Sequence, residues 1–281
     1  SPEVTVPSAG SALIDQLLAH RSVRAYLPDP VSDDTLSAII AAAQSAASSS
    51  NLQAWSVVAV RDTERKSRLA SLAGEQEHIR QAPLLLVWLA DLARLERVAG
   101  KVGEACAGLD YLEMLEVGVI DAALAAQNAV AAAESLGLGT VYIGGMRNQP
   151  EAVAAELALP PRVIAVFGLC VGTPDPQAQA SVKPRPPQSV VLHHETYSLP
   201  AQDGGLAVLH GKTRRGGLVF DIADLVKDAV ILPQAFISAM RGDDEQGFRE
   251  ACIESLVQAE ALDFMIDTVK SIALDIGRQA Q

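Results

Sequence analysis

Cysteine, long apolar runs and a leader-like start are scarce or missing in this sequence. The three cysteines among 281 residues are far apart and odd in number, namely Cys106, Cys170 and Cys252. That pattern argues against a disulfide framework and fits a reducing cytosol. No apolar run reaches about 18 residues, so we expect no membrane span. Residues 1–10 lack the basic start and the apolar core of a signal peptide.

Two nucleotide-binding motifs and an excess of positive charge are also missing. No G-x-G-x-x-G follows the first predicted strand and no G-x-x-x-x-G-K-[ST] occurs, so a Rossmann dinucleotide site and a P-loop are not supported. The formal net charge is −12, so the chain does not attract nucleic acid by bulk charge. Hydrophobic residues make up 49% of the chain, enough for a sizeable core in one large domain or two smaller ones.

Apolar spacing and turn residues predict alternating helices and strands up to about residue 172. The predicted helices cover residues 11–19, 34–47, 64–73, 111–136 and 150–157. The predicted strands cover residues 55–60, 82–89, 141–143 and 163–171. Helix 111–136 is apolar nearly all round, so we expect it to be buried centrally, and a subunit interface is one way to bury it. The alternation indicates an α/β or α+β fold.

Local signals also predict how some elements begin and end. Ser32-Asp33-Asp34 is expected to cap the helix at 34–47, and the glycines at 137–139 to end helix 111–136 in a left-handed cap. Residues 74–78 are predicted to be a polar loop, and His78 a surface or capping residue.

The stretch His20-Arg21-Ser22-Val23-Arg24 places two guanidinium groups, an imidazole and a hydroxyl within five residues. Such a cluster at an element boundary suits an oxyanion with several acceptor oxygens, above all a phosphate monoester. The alternative is a solvated basic turn. Lys183-Pro184-Arg185 carries two cations in a rigid extended segment, which suits further phosphate contacts or is an ordinary basic linker.

Residues 48–53 crowd small polar side chains directly before the first predicted strand. They form either caps and turns or a polar rim for a heterocycle or a ribityl chain. Gly144 and Gly145 would let the backbone approach a ligand or a neighbouring chain closely.

Taken together, residues 11–198 resemble the FMN-dependent nitroreductase superfamily, in particular its NADPH-dependent, oxygen-insensitive nitroreductase and flavin reductase branch. The resemblance rests on motifs in the family's order and spacing: His20-Arg-Ser-Val-Arg24, Ser48-Ser-Ser-Asn-Leu-Gln53, Gly74-Glu-Gln-Glu-His78, Ala126-Gln-Asn128, Glu134-Ser-Leu-Gly-Leu-Gly139, Val141-Tyr-Ile-Gly-Gly-Met-Arg-Asn148, Phe167-Gly-Leu-Cys170 and Lys183-Pro-Arg185.

The resemblance implies an α+β fold in which helices surround a sheet and a long central helix lies at the interface of an intertwined homodimer. It implies FMN as cofactor, NADPH or NADH as electron donor, and a nitroaromatic, quinone or flavin as acceptor. Hydride would pass through flavin N5 in a ping-pong reaction, with no catalytic side chain, because the cofactor carries the chemistry. We expect a cytoplasmic enzyme.

The resemblance also assigns residues to FMN. It places four residues at the phosphate and ribityl region: His20, Arg24, Lys183 and Arg185. Arg21 and Ser22 would complete that loop. Three residues would hydrogen-bond the flavin or its chain: Ser48, Ser49 and Gln76. Four would lie along the isoalloxazine ring: Tyr142, Ile143, Gly144 and Gly145.

After residue 198 this likeness stops, and residues 205–275 resemble the C-terminal helical part of the CRISPR-associated integrase, the endonuclease that captures new spacers, in its subtype I-F form. The matching residues run from Leu209-His210 through Asp221-Ile-Ala-Asp224, and again over Ala261-Leu-Asp-Phe-Met-Ile-Asp267. The resemblance makes His210, Asp221 and Asp224 ligands of Mn²⁺ or Mg²⁺. Asp221 and Asp224 are three apart, so their carboxylates share one helix face.

This metal site is incomplete, because the family's metal-binding Glu and its N-terminal β domain have no counterpart in the chain. Residues 203–281 carry 13 acidic and 8 basic residues, net −5, which is unfavourable for holding DNA. We therefore expect a composite chain: an FMN-binding domain at 1–198, a junction at 199–204 and an all-α tail at 205–281. The alternative functions are a metal-dependent DNA endonuclease or integrase fragment, or an inactive fusion.

Overall fold

The computed structural model describes residues 10–200 except 179, 184, 186 and 187. They belong to two compact units: residues 12–182, hereafter the body, and a short segment of residues 183–200 with residues 10 and 11. The predicted tail, with His210, Asp221 and Asp224, lies outside the described residues, as do residues 201–204 of the predicted junction.

A four-stranded sheet forms the centre of the body. Its strands are β1 (Trp55–Val60), β2 (Leu84–Asp91), β3 (Gly139–Ile143) and β4 (Val163–Gly172). They lie in the order β1-β2-β4-β3, and every neighbouring pair is antiparallel. The fold is therefore α+β, as the resemblance implied, and not the parallel α/β arrangement that the alternation also allowed.

Eight α-helices accompany the sheet in the part of the chain that the structure describes. Seven belong to the body: α1 (Ala12–Leu18), α2 (Asp33–Gln44), α3 (Thr63–Leu72), α4 (Glu77–Gln81), α5 (Ala93–Val102), α6 (Leu112–Ser135) and α7 (Pro150–Glu156); α8 (Gln188–Val191) belongs to the short segment.

The helices cover the sheet on both faces. All eight residues of β2 are buried. Leu84, Leu86 and Trp88 pack in a cluster with α2 and α6, whereas the alternate residues Leu85 and Val87 pack in a cluster with α3, α4 and α7. Two covered faces explain why β2 is a continuous apolar run and not an alternating one.

The ends of the elements follow the local signals with one exception. Ser32 caps α2, since its hydroxyl accepts the Thr35 amide hydrogen at 3.1 Å, and Gly137 follows α6 with a φ of 79°. The polar loop predicted at 74–78 is shorter than expected, because α4 begins at Glu77 and buries Ile79. A helix of five residues is too short for apolar periodicity to reveal it.

Helix α6 is long and apolar enough to cross a membrane by length and composition. In the body it packs on α2 and the sheet through buried alanines, as a core helix does. Ile120 and Leu124, on another side of α6, are 55% and 44% exposed, and the subunit interface expected as one way to bury the helix stays a prediction. One side of α6 therefore has no cover within the described chain.

Candidate functional site

The basic loop at residues 20–24 is fastened to the start of β3. Ser22 forms a parallel bridge with Thr140, and the Val23 amide donates to the Thr140 carbonyl at 2.9 Å. The Val23 side chain is buried, while Arg21 and Arg24 are exposed. The buried anchor thus presents two guanidinium groups to solvent, which is the arrangement that binding an oxyanion requires.

A buried tyrosine supports the same loop from below. The Tyr26 hydroxyl donates to the Val23 carbonyl at 2.6 Å, and Tyr26 bridges to Pro174 beyond β4. Burial raises the pKa of Tyr26 far above its ordinary value, so the hydroxyl stays protonated and keeps donating. The loop is therefore fixed by the fold before any ligand binds.

His20 is engaged on one side of its ring. Its Nδ1 lies 2.7 Å from Glu134 Oε1 at the end of α6. The same carboxylate oxygen accepts a hydrogen bond from the Thr140 hydroxyl at 3.0 Å. Only Nε2 is thus left for the ligand contact that the resemblance assigns to His20.

His78, on α4, is a residue whose role the sequence reasoning missed. Its Nε2 is buried without a hydrogen-bond partner among the described residues. Burial lowers the pKa of His78, and the nearby charge of Arg24 lowers it further, so the ring is neutral near pH 7. A buried ring nitrogen without a partner marks a position that a water molecule or a ligand atom can fill. The motif Gly74-Glu-Gln-Glu-His78 was the sequence feature that could have pointed to His78.

Gln76 and Gly145 lie against each other beside the end of β3. A Cβ atom at Gly145 would stand 2.4 Å from the Ala73 carbonyl oxygen and 2.6 Å from Gln76 Nε2. The Gln76 amide also donates to that carbonyl at 2.8 Å. The absence of a side chain at Gly145 therefore lets its backbone pack directly against the Ala73 carbonyl. The ring contact assigned to Gly145 stays a prediction.

Within β3 the predicted ring contacts alternate in exposure. Ile143 is buried, whereas Tyr142 is 37% exposed and packs edge-on against Phe167 with ring centroids 5.1 Å apart. Its hydroxyl lies 3.4 Å from Gln127 Oε1 on α6. Burial, with the charge of Glu134, raises the pKa of Tyr142. Tyr142 thus offers an apolar ring face rather than an ionisable group.

The serine-rich loop at 48–53 is organised by Asp121, a second residue that sequence reasoning missed. The buried Asp121 carboxylate accepts the Ser48 hydroxyl at 2.8 Å and the amides of Ser49 and Ala54 at 3.2 and 2.9 Å. Ser48 Oγ in turn accepts the Gln53 amide at 2.7 Å. The sequence feature that could have pointed to Asp121 is that it is a lone carboxylate in an apolar stretch of α6. The flavin contacts assigned to Ser48 and Ser49 stay predictions.

This loop holds an unusual backbone. Ser50, Asn51 and Gln53 have φ values of 49°, 54° and 50°, in the left-handed region that costs a non-glycine residue roughly 1 kcal/mol or more. Strain of this kind persists only where the surroundings enforce it, and the Asp121 hydrogen bonds supply that enforcement.

The sequence-predicted cations Lys183 and Arg185 belong to the short segment and not to the body. Both are exposed, and the Arg185 guanidinium donates to the Lys183 carbonyl at 3.2 Å. Their assignment to phosphate stays a prediction.

The body therefore gathers most of the predicted residues along β3 and α6. The basic loop meets the start of β3, and Gln76 meets the glycines at its end. The serine-rich loop is held at position 121 of α6 and His20 at position 134, which are about 20 Å apart along the helix. Among the described residues there is no group of three or more metal-ligating side chains.

The residues present fit a phosphorylated flavin. Arg21 and Arg24 supply exposed cations for a phosphate, and His78 supplies a buried ring nitrogen without a described partner. These residues would bind the flavin and orient it, and neither task requires a nucleophile paired with a base.

Comparison with known proteins agrees with this geometry. The family model described as "Nitroreductase family" matches residues 17–173, and the chain belongs to the nitroreductase family. The chain is 40% identical over 191 residues to "FMN reductase (NADPH)" of Bacillus subtilis (strain 168), covering 68% of this chain and 76% of that one. It is 43% identical over 187 residues to "Oxygen-insensitive NADPH nitroreductase" of Salmonella typhimurium, covering 66% and 75%.

A solved structure shares the fold. NfrA1 of B. megaterium superposes with a TM-score of 0.73 at 34% identity, covering 83% of this chain and 98% of that one. The predictions of the family and of the α+β fold are confirmed.

A separate part of the chain is similar to another protein. It is 75% identical over 69 residues to "CRISPR-associated endonuclease Cas1" of Pseudomonas aeruginosa (strain UCBPP-PA14), covering 25% of this chain and 21% of that protein. The prediction of a composite chain is thereby confirmed, and the chain spans about a fifth of this relative's length.

Proposed function

We propose that this protein is an FMN-dependent NAD(P)H oxidoreductase of the nitroreductase or flavin reductase type. It takes hydride from NADPH or NADH and reduces a small-molecule acceptor, such as a nitroaromatic, a quinone or free flavin. The observation that carries the proposal is the basic loop, which is fastened to the start of β3 and leaves Arg21 and Arg24 exposed. The names of the relatives that share the body support it.

Different residues of the body would bind different parts of FMN. Arg24 and His20 would hold the flavin phosphate, and Gln76 with Gly144 and Gly145 would bound the ring. Bound FMN supplies the redox chemistry at N5. The body then needs to orient the ring and shield it from bulk water.

The phosphate assignment is tested by measuring FMN affinity of the full chain by flavin fluorescence. Replacing Arg24 by Ala removes a charge-assisted hydrogen bond, so we expect FMN to bind roughly tenfold or more weakly. Arg97→Ala on the exposed side of α5 is the matched control and should leave the affinity unchanged. Equal affinity in the wild type and Arg24→Ala would refute the assignment.

We further propose that the protein is a homodimer with the flavin sites at the interface. An apolar surface, here called the α1–α6 face, is formed on α1 and α6 by exposed side chains: Leu13, Ile14, Leu17, Leu18, Ile120 and Leu124. A second copy of the chain would cover it. The roughly 20 Å between the serine-rich loop and the basic loop along α6 supports a site that takes the two loops from different subunits.

The site requires no membrane, and we place the protein in the cytoplasm. The free thiols of Cys106 and Cys170 fit a reducing compartment.

A second candidate function rests on the high identity of the Cas1-like segment. It would be metal-dependent cleavage or joining of DNA with Mn²⁺ or Mg²⁺ held by His210, Asp221 and Asp224. Because the segment corresponds to about a fifth of that relative and carries net negative charge, we expect no such activity. The test is cleavage of DNA with Mn²⁺ by the wild type; activity that disappears in His210→Ala would establish the second function.

A further inference from the structure

A hydrogen-bond network around His20 goes beyond the flavin contacts proposed above. Glu134 Oε1 lies 2.7 Å from His20 Nδ1 and accepts the Thr140 hydroxyl at 3.0 Å. The Thr140 carbonyl accepts the Val23 amide at 2.9 Å. The network therefore runs from the basic loop to α6, on to β3, and back to the basic loop. Thr140 is fully buried and the Glu134 side chain is 15% exposed, so water competes little for these bonds.

The chemistry of the network restricts the protons of His20. An ionised carboxylate only accepts hydrogen bonds, so Nδ1 carries a proton. If Nε2 donates to a phosphate, the ring carries a second proton and a positive charge. The Glu134 carboxylate on the opposite side of the ring compensates that charge. Arrangements in which a carboxylate orients a histidine and fixes its protons are known from metal sites, and the same reasoning applies to an anion.

We infer that Glu134 is a positioning residue that selects phosphorylated flavin. It holds the His20 ring so that Nε2–H points to the phosphate, and Thr140 holds Glu134. This inference rests on the proposed function, because it concerns the same flavin site. Its signature is a selective loss: removing the Glu134 charge weakens the binding of FMN but not of riboflavin, which has the same ring and ribityl chain without the phosphate.

The experiment titrates the deflavinated full chain with FMN and with riboflavin and compares the two affinities. Glu134→Gln keeps an oxygen that can accept from His20 and Thr140 but removes the charge. We expect FMN to bind about tenfold more weakly, as for a lost charge-assisted hydrogen bond, and riboflavin to change by less than about twofold. Glu156→Gln, which removes a carboxylate paired with Arg65 and Arg68 at the surface, is the control and should change neither affinity.

A double-mutant cycle isolates the coupling to His20. In a His20→Ala background the preference for FMN is already reduced, so Glu134→Gln should reduce it no further. Equal weakening of both flavins by Glu134→Gln, an unchanged ratio, or independent effects of the two substitutions would overturn the inference. A wild type that binds neither flavin would overturn the proposed function itself.

A spectroscopic measurement on the wild type guards against a variant that does not fold. Imidazole nitrogen correlation spectra, with the His20 signals identified by His20→Gln, should show a protonated Nδ1 in the free protein and two protonated nitrogens after FMN is added. An Nδ1 without a proton, or an Nε2 that stays bare in the complex, would contradict the assignment.

Discussion

Among single residues, Asp121 holds the serine-rich loop against α6. Its carboxylate is buried and accepts three hydrogen bonds from the serine-rich loop and the residue before β1. Asp121→Asn would place an amide N–H against backbone N–H donors, and hydrogen bonds to a charged group contribute about 1.5–3 kcal/mol. We expect the free energy of unfolding to fall by about 3 kcal/mol, measured by urea denaturation. Asp29→Asn, the same change at an exposed loop position, should change it by less than about 0.5 kcal/mol.

The roles of Asp121 and His78 could not be deduced from the sequence, because each depends on a partner far away in the chain. Ser48 and Asp121 are brought together only when α6 packs beside the start of β1. The isolation of His78 Nε2 follows from burial beside Arg24, which no local pattern encodes. The basic loop, by contrast, could be recognised because His20, Arg21 and Arg24 lie within five residues of the sequence.

At the scale of elements, the helices α1, α3, α6 and α7 agree with their predicted bounds to within one residue, whereas β2 lies two residues later than predicted. The apolar run of β1 (Trp55–Val60) agrees with its predicted bounds, and β4 extends one residue beyond them. Their apolar content and flanking turns are local signals. Helix α5 received no prediction, because most of its surface is polar and the body buries only Ala93 from it. The α+β class came from the resemblance, since alternation alone allowed two classes, and the antiparallel strand order was not predicted.

The contact between the glycines after β3 and the loop before α4 can be tested by adding one methyl group. A Cβ at Gly145 would stand 2.4 Å from the Ala73 carbonyl oxygen. We expect Gly145→Ala to force the two loops apart, to lower stability by about 1–3 kcal/mol and to weaken flavin binding. Both effects are measured by thermal unfolding with and without FMN.

The control for that substitution is Gly100→Ala. No atom lies within 4 Å of a Cβ built at Gly100, and the residue lies inside α5, where alanine is favoured by about 1 kcal/mol. Gly100→Ala should therefore raise the melting temperature slightly and leave flavin binding intact. If Gly145→Ala behaves in the same way, the close approach has no bearing on the site.

At the scale of the whole molecule, the exposed α1–α6 face connects fold to function. Leu17 and Leu124 are 46% and 44% exposed. We expect Leu124→Glu to place a charge in the proposed interface, to convert the dimer to a monomer and to abolish FMN retention. Sedimentation velocity and the flavin-to-protein ratio measure the two outcomes.

The control is Ala155→Glu, at an exposed position on α7 across the sheet, which should leave the protein dimeric and yellow. A wild type that sediments as a monomer would contradict the proposed dimer.

Whether this chain is a flavin-dependent oxidoreductase is decided by the visible spectrum of the purified full chain with FMN, followed under argon as NADPH is added. We expect the two absorption bands of oxidised flavin and their bleaching by about one equivalent of NADPH, with recovery when a quinone is introduced. A protein that binds no FMN, or one whose bound flavin stays oxidised with both NADPH and NADH, would contradict the assignment of this chain as a flavin-dependent oxidoreductase.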